Sequence, residues 1–130
     1  MSLRFDTVSF SYESGRPWAR TETRVLHDFT WELPPGRTVL LGPNGAGKST
    51  LLGLGASALM PNAGTVWANG HISARRGDQS AFRRAVGCMP QQVRPINGLT
   101  CHEQVAYAGW LKGLSREAAE EHAITALERV

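Results

Sequence analysis

The sequence predicts an α/β fold, and three observations carry that reading. The opening stretch alternates apolar and polar residues at the period of a strand. The closing stretch holds two helical patterns, each opened by a capping residue. Between them a glycine-rich loop, "GPNGAGKST", joins a short aliphatic run to a leucine-rich helix. A chain of 130 residues, 42% hydrophobic and 19% charged, is long and apolar enough to bury a core, which excludes a disordered tail. The net charge of +3 includes no dense basic run, since Arg75-Arg76 and Arg83-Arg84 are merely pairs. No nucleic-acid partner is therefore expected.

The elements follow in order. Leu3, Phe5, Val8, Phe10 and Tyr12 read as a strand with a bulge after Phe5, because the period slips there. "ESGRPWARTETR" is polar with Gly and Pro and reads as a loop. Residues 25–33 read as a second strand, ended by "PPG". "RTVLL", residues 37–41, has the composition of a buried strand. Residues 42–47 are a loop, and a helix from Ser49 carries leucines at 51, 52, 54 and 59 until Pro61 stops it. "GTVWANG" reads as a strand closed by an Asn-Gly turn at 69–70. A short helix over 80–85 precedes a strand at "AVGCM", and Pro90 and Pro95 bracket a loop. Thr100 with Glu103 forms a capping box for a helix to about Lys112, with Val105, Trp110 and Leu111 inward. Ser115 caps a last helix that runs to Val130, with Ala123, Ile124, Leu127 and Val130 as its apolar stripe. Cys88 and Cys101 have no metal-like spacing and read as buried thiols in a reducing compartment. "MSLRFDTVSFSY" lacks the apolar block of a signal peptide, so the chain reads as cytoplasmic.

The chemistry lies in the loop. Gly42, Pro43, Asn44, Gly45, Ala46, Gly47, Lys48 and Ser49 fit G-x-x-x-x-G-K-[ST], the pattern of a phosphate loop. Glycines let successive backbone N–H groups turn toward a polyphosphate, and the helix that follows adds its own N–H groups and positive dipole end. Lys48 supplies a compact charge to the outer phosphates, the Ser49 hydroxyl can ligate Mg²⁺, and Thr50 can reach an inner phosphate. Only two of the 14 basic residues are lysines, yet this position is one of them. A flat guanidinium is a poor substitute where a compact charge must enter the loop.

In sequence order, "FDTVSFSY", "WELPPGRTVLLGPNGAGKST", "PNAGTVWANG", "VGCMPQQ" and "GLTCHEQVAYAGWLKGL" resemble the N-terminal portion of an ATP-binding cassette (ABC) transporter nucleotide-binding domain. The resemblance implies a P-loop NTPase domain with an N-terminal antiparallel β portion, truncated in its helical subdomain. About 1–98 would be the β-subdomain and P-loop core portion, and about 99–130 the start of the helical subdomain. It implies ATP and Mg²⁺ as ligands. Nucleotide would be held by Tyr12, residues 42–50 and Gln91, and the metal by Ser49 and Gln91. Tyr12 would stack on adenine, with Trp18 as the alternative. Gln91, with Gln92 as the alternative, would approach the metal and link the site to the membrane partner. A transmembrane permease subunit and a second ATP-binding subunit are the implied partners. The location implied is the cytoplasmic face of the membrane.

The family continues with an "LSGGQ"-type loop, an acidic strand end and a switch histidine. None of the eleven acids here follows a run of four apolar residues, and His27, His71, His102 and His122 all precede the place of the switch histidine. The expectation is half of a catalytic site, to which Lys48 and Gln91 contribute. Without the acidic strand, the run Val39-Leu40-Leu41 lacks a neighbour, and nucleotide is bound without turnover. Alternative readings are a cassette ATPase serving translation or DNA repair, a non-catalytic nucleotide-binding module, and another P-loop enzyme such as a small-molecule kinase.

Overall fold

A computed structural model of the protein describes residues 2–16 and 19–130. They form two compact units, one reaching to Cys88 and the other spanning Met89–Val130.

The first unit is built on a four-stranded antiparallel sheet in the order β2-β1-β3-β4. Its strands are β1 (Leu3–Arg16), β2 (Ala19–Glu32), β3 (Ala63–Ala68) and β4 (His71–Ile72). The period slip after Phe5 is a bulge: the β1–β2 register shifts between Phe5 and Val8, and Thr7 takes φ 50°. That extra residue turns Phe5, Val8 and Phe10 all inward, where strict alternation would expose Val8. The free Thr7 N–H donates to Thr30 Oγ1 at 3.0 Å. Opposite, Phe29 meets Phe5 edge-on and Trp31 stacks on it. The Asn-Gly turn forms as expected, with φ 47° at Asn69 and 84° at Gly70, values a two-residue hairpin of this type requires.

Two helices belong to this unit, α1 (Lys48–Gly55) and α2 (Gln79–Ala85). Leu51 and Leu54 of α1 and Phe82 of α2 close the core over Phe5, Val8, Val66 and Ala68. α1 stops at Gly55, six residues short of Pro61. Gly53 and Gly55 weaken the helix, and Ala58 and Leu59 N–H groups both turn back to the Gly53 carbonyl. Leu59 packs on the core from outside the helix.

Three expectations for this unit are corrected. Residues 13–16 and 19–24 are paired strand rather than loop, in register from Tyr12↔Thr23 to Arg16↔Ala19, and residues 17–18 lie outside the described residues. Glu13, Ser14, Thr21, Glu22, Thr23 and Arg24 are polar and exposed here, and the pairing itself is a backbone affair. Residues 37–41 form no strand: Val39 is 77% and Leu41 88% exposed, and only Leu40 leans on the core. A buried strand of this kind needs a hydrogen-bonded neighbour on each side, and no strand among the described residues lies beside it. Residues 85–89 also form no strand. Ala85 ends α2, and Val86 is buried in an extended conformation.

The second unit pairs α3 (Cys101–Leu111) with α4 (Arg116–Leu127). The capping box is present: the Thr100 hydroxyl accepts from Glu103 N–H, and Thr100 N–H donates to the Glu103 carboxylate at 2.7 Å. Ser115 caps α4 through Ala118 N–H at 3.2 Å. The buried seam is Ala106, Ala119 and Ala123 with Val105 beside it. Trp110, Leu111, Ile124 and Val130 are exposed instead, and α4 ends at Leu127. Small residues let the helices approach closely, so the large ones stay outside the seam. Cys88 and Cys101 are exposed rather than buried, the second because it opens α3 on its outer side. Among the described residues, no helix is long and apolar enough to cross a membrane.

Two outcomes follow from these contacts. Gly64 has φ 79°, and a Cβ there would strike the backbone carbonyl of Thr7 on β1. Gly64→Ala is expected to cost about 2 kcal/mol or more in chemical denaturation. The Thr100 backbone N–H, and then its hydroxyl, hold the Glu103 carboxyl below its usual range. A lowered folded-state pKa means that the charged cap stabilises α3 above the ordinary glutamate pKa. That contribution is lost as pH falls through the lower folded value. A carboxyl-resolved NMR titration should place the Glu103 midpoint below an ordinary glutamate, and Thr100→Ala should move it upward.

Candidate functional site

The site is built where the loop 42–47 meets the first turn of α1. Gly47 is the N-cap of that helix, with φ 82°, and it lies against β2: a Cβ there would sit 2.9 Å from Val25 Cγ1. Both facts require glycine. Glycine offers no side-chain oxygen to the first-turn N–H groups, so the usual serine, threonine or aspartate solution is closed. Leu51 N–H closes the first turn on the Gly47 carbonyl at 2.8 Å, and Ala46 N–H reaches Pro43 at 3.3 Å. The N–H groups of Lys48, Ser49 and Thr50 meet no acceptor among the described residues. They form the positive end of a helix dipole facing outward, a ready seat for an anion.

Lys48 supplies the full charge. Its ammonium folds back over the loop and donates to the Gly42 and Pro43 carbonyls, each at 2.7 Å. These two bonds clip the loop into a ring and leave one ammonium proton for another acceptor. Gly42, Pro43, Asn44, Gly45 and Ala46 are exposed along the rim. Ser49 is exposed beside the bare N–H groups, whereas Thr50 is buried.

Tyr12 comes to the same place from β1. Its hydroxyl lies 3.2 Å from Thr50 Oγ1, and its ring meets Phe10 edge-on with centroids 4.9 Å apart. The residue is 44% exposed. The structure thus brings Tyr12, Gly47, Lys48, Ser49 and Thr50 together. Trp18 lies outside the described residues. Gln91 and Gln92 are exposed residues at the start of the second unit. Sequence reasoning missed Val25, the floor under Gly47. A β-branched residue in a strand carries no mark of the loop that will rest on it.

The chemistry of the site fits a polyphosphate and its divalent cation. Among the described residues, no cluster of three His, Cys, Asp or Glu side chains could hold a metal. The Ser49 hydroxyl is a hard oxygen donor at the open end of the helix, which suits Mg²⁺ when phosphates and water supply its other oxygens.

Comparison with known proteins gives the family of the chain. The family model described as "ABC transporter" matches residues 26–130. The cell division ATP-binding protein FtsE of Haemophilus influenzae is 34% identical over 98% of this chain and 57% of its own length. The energy-coupling factor transporter ATP-binding protein EcfA2 of Symbiobacterium thermophilum is 34% identical over all of this chain and 45% of its own. The lipoprotein-releasing system ATP-binding protein LolD of Granulibacter bethesdensis is 35% identical over 97% and 55%. The chain therefore spans about half the length of the curated relatives it matches. Among solved structures, an ATP-binding subunit of an ABC transporter superposes with a TM-score of 0.71, at 29% identity over 88% of this chain and 44% of that one. A dimeric ATP-binding cassette bound to ADP and phosphate superposes at 0.77 with 24% identity, over 97% of this chain and 56% of that one, which speaks for the fold alone. With its glycine-capped loop, its antiparallel sheet and a family match over most of its length, this chain is part of the ATP-binding domain of the ABC transporter family.

Proposed function

We propose that this chain provides the nucleotide-seating portion of an ABC transporter ATPase subunit. In the complete domain, bound ATP·Mg²⁺ is hydrolysed to drive transport across a membrane. The observation that carries the reading is the uncapped start of α1 with the Lys48 ammonium folded over the loop.

In this reading the phosphates lie against the backbone N–H groups of residues 42–50. Lys48 exchanges its contacts with the Gly42 and Pro43 carbonyls for phosphate oxygens. That exchange replaces neutral acceptors by charged ones, and hydrogen bonds of the second kind are roughly twice as strong. The Tyr12 ring offers its open surface to adenine. Ser49 and Gln91 would hold Mg²⁺, which neutralises phosphate charge when bound. Gln91 also connects the site to a transmembrane permease subunit, and a second ATP-binding subunit completes a dimer at the cytoplasmic face. Residues up to about 98 act as the β-subdomain and P-loop core portion, and residues 99–130 as the start of the helical subdomain. The names of the relatives support this assignment, since FtsE, EcfA2 and LolD are all described as ATP-binding proteins. Phosphoryl transfer also needs water and metal to be positioned, and that work is assigned to the complete domain.

Lys48→Ala should weaken binding of a fluorescent ATP analogue by about 1.5–3 kcal/mol, the worth of one charge-assisted hydrogen bond. Fluorescence titration of both proteins measures it, with circular dichroism to confirm that the variant is folded. Equal dissociation constants would remove the phosphate-loop reading.

A further inference from the structure

Thr50 is 5% exposed, and its hydroxyl has one hydrogen-bond partner among the described residues, the Tyr12 hydroxyl at 3.2 Å. A threonine in the first turn has no helical carbonyl four residues earlier, so its O–H could turn back only to the loop before the helix, at Ala46. No such bond forms. The tyrosine is held at two points. Buried Phe10 meets the ring edge-on at an interplanar angle of 88°, and Thr50 holds the hydroxyl. A ring that served only as a flat stacking surface would need neither its oxygen nor this anchor.

We propose that Tyr12 is a positioning residue for the phosphate site: its phenolic O–H donates to Thr50 Oγ1 and so orients the Thr50 O–H toward a bound phosphate oxygen. The proposal rests on the phosphate-loop reading above and deepens it. Either hydroxyl can donate across this pair, and the phenol, the better hydrogen-bond donor of the two, takes that role here. Once Thr50 accepts from Tyr12, its own single proton is free to point elsewhere, and the acceptor that the bare first turn of α1 is built to receive is an anion. A donor chain of this kind polarises each member, so the second bond strengthens the first. One residue then faces both ends of the ligand, the base through its ring and the phosphates through its hydroxyl.

Calorimetric titration with inorganic triphosphate plus Mg²⁺, and separately with adenosine, separates the two roles. The proteins compared are wild type, Tyr12→Phe, Thr50→Val and the double variant. Tyr12→Phe keeps the ring. It should lose about three- to tenfold in affinity for triphosphate, the range of one net hydrogen bond, and lose less for adenosine. In the Thr50→Val background, Tyr12→Phe should cause no further loss for triphosphate. If Thr50→Val does not fold, Thr50→Ser takes its place. It keeps the hydroxyl and should keep the full sensitivity to Tyr12→Phe. Wild-type affinity for triphosphate in Tyr12→Phe, or losses that simply add in the double variant, would overturn the relay and leave Tyr12 as a ring alone. Triphosphate binding that does not depend on Lys48 would instead remove the phosphate-loop reading, and the relay with it.

Discussion

A helix whose N-cap is glycine has no side-chain oxygen for its first-turn N–H groups, and the first unit depends on that fact. Gly47 has φ 82°, a conformation that side chains rarely adopt, and a Cβ there would sit 2.9 Å from Val25 Cγ1. The other well-formed helices solve the same problem locally. Thr100 caps α3 and Ser115 caps α4. Asp78, before α2, spends its carboxylate on the Ile72 N–H. Among the described helices, only α1 combines a cap with no side chain and a neighbouring cation, which leaves its first-turn N–H groups open to an acceptor from outside. The β1–β2 ribbon enforces this arrangement. β2 supplies Val25 as the floor, and β1 supplies Tyr12 beside Thr50.

The bulge in β1 serves the same end. It lets Phe5, Val8 and Phe10 all face Leu51 and Leu54, which fixes α1 on the sheet. Beyond the core the ribbon continues as paired but polar strand, and Tyr12 lies at that border, packed on Phe10 yet partly exposed. A residue placed there can hold a buried hydroxyl on one side and offer ring surface on the other.

Much of this was legible because it is local. The phosphate-loop pattern, the Asn-Gly turn, the capping box at Thr100 and the cap at Ser115 are each set by residues a few positions apart. The bulge showed as a slip in period. The illegible parts depend on partners distant in sequence. Residues 13–16 and 19–24 hide their pairing because backbone hydrogen bonds leave no apolar trace. Residues 37–41 and 85–89 have the composition of buried strands, but composition cannot supply the neighbour that makes a strand. Trp110, Leu111 and Ile124 were read inward because they are large and apolar, whereas the alanine seam between α3 and α4 admits only small side chains. The Tyr12–Thr50 bond joins residues 38 positions apart and was beyond any local pattern.

The central claim is that the bare first turn of α1 is the seat of a polyphosphate. An amide-resolved NMR titration with inorganic triphosphate and Mg²⁺ tests it most directly. The account predicts that the largest shifts fall on the N–H signals of Gly47, Lys48, Ser49 and Thr50, because each gains an anionic acceptor that it now lacks. Largest shifts elsewhere in the chain, with these four signals unmoved at saturation, would contradict it.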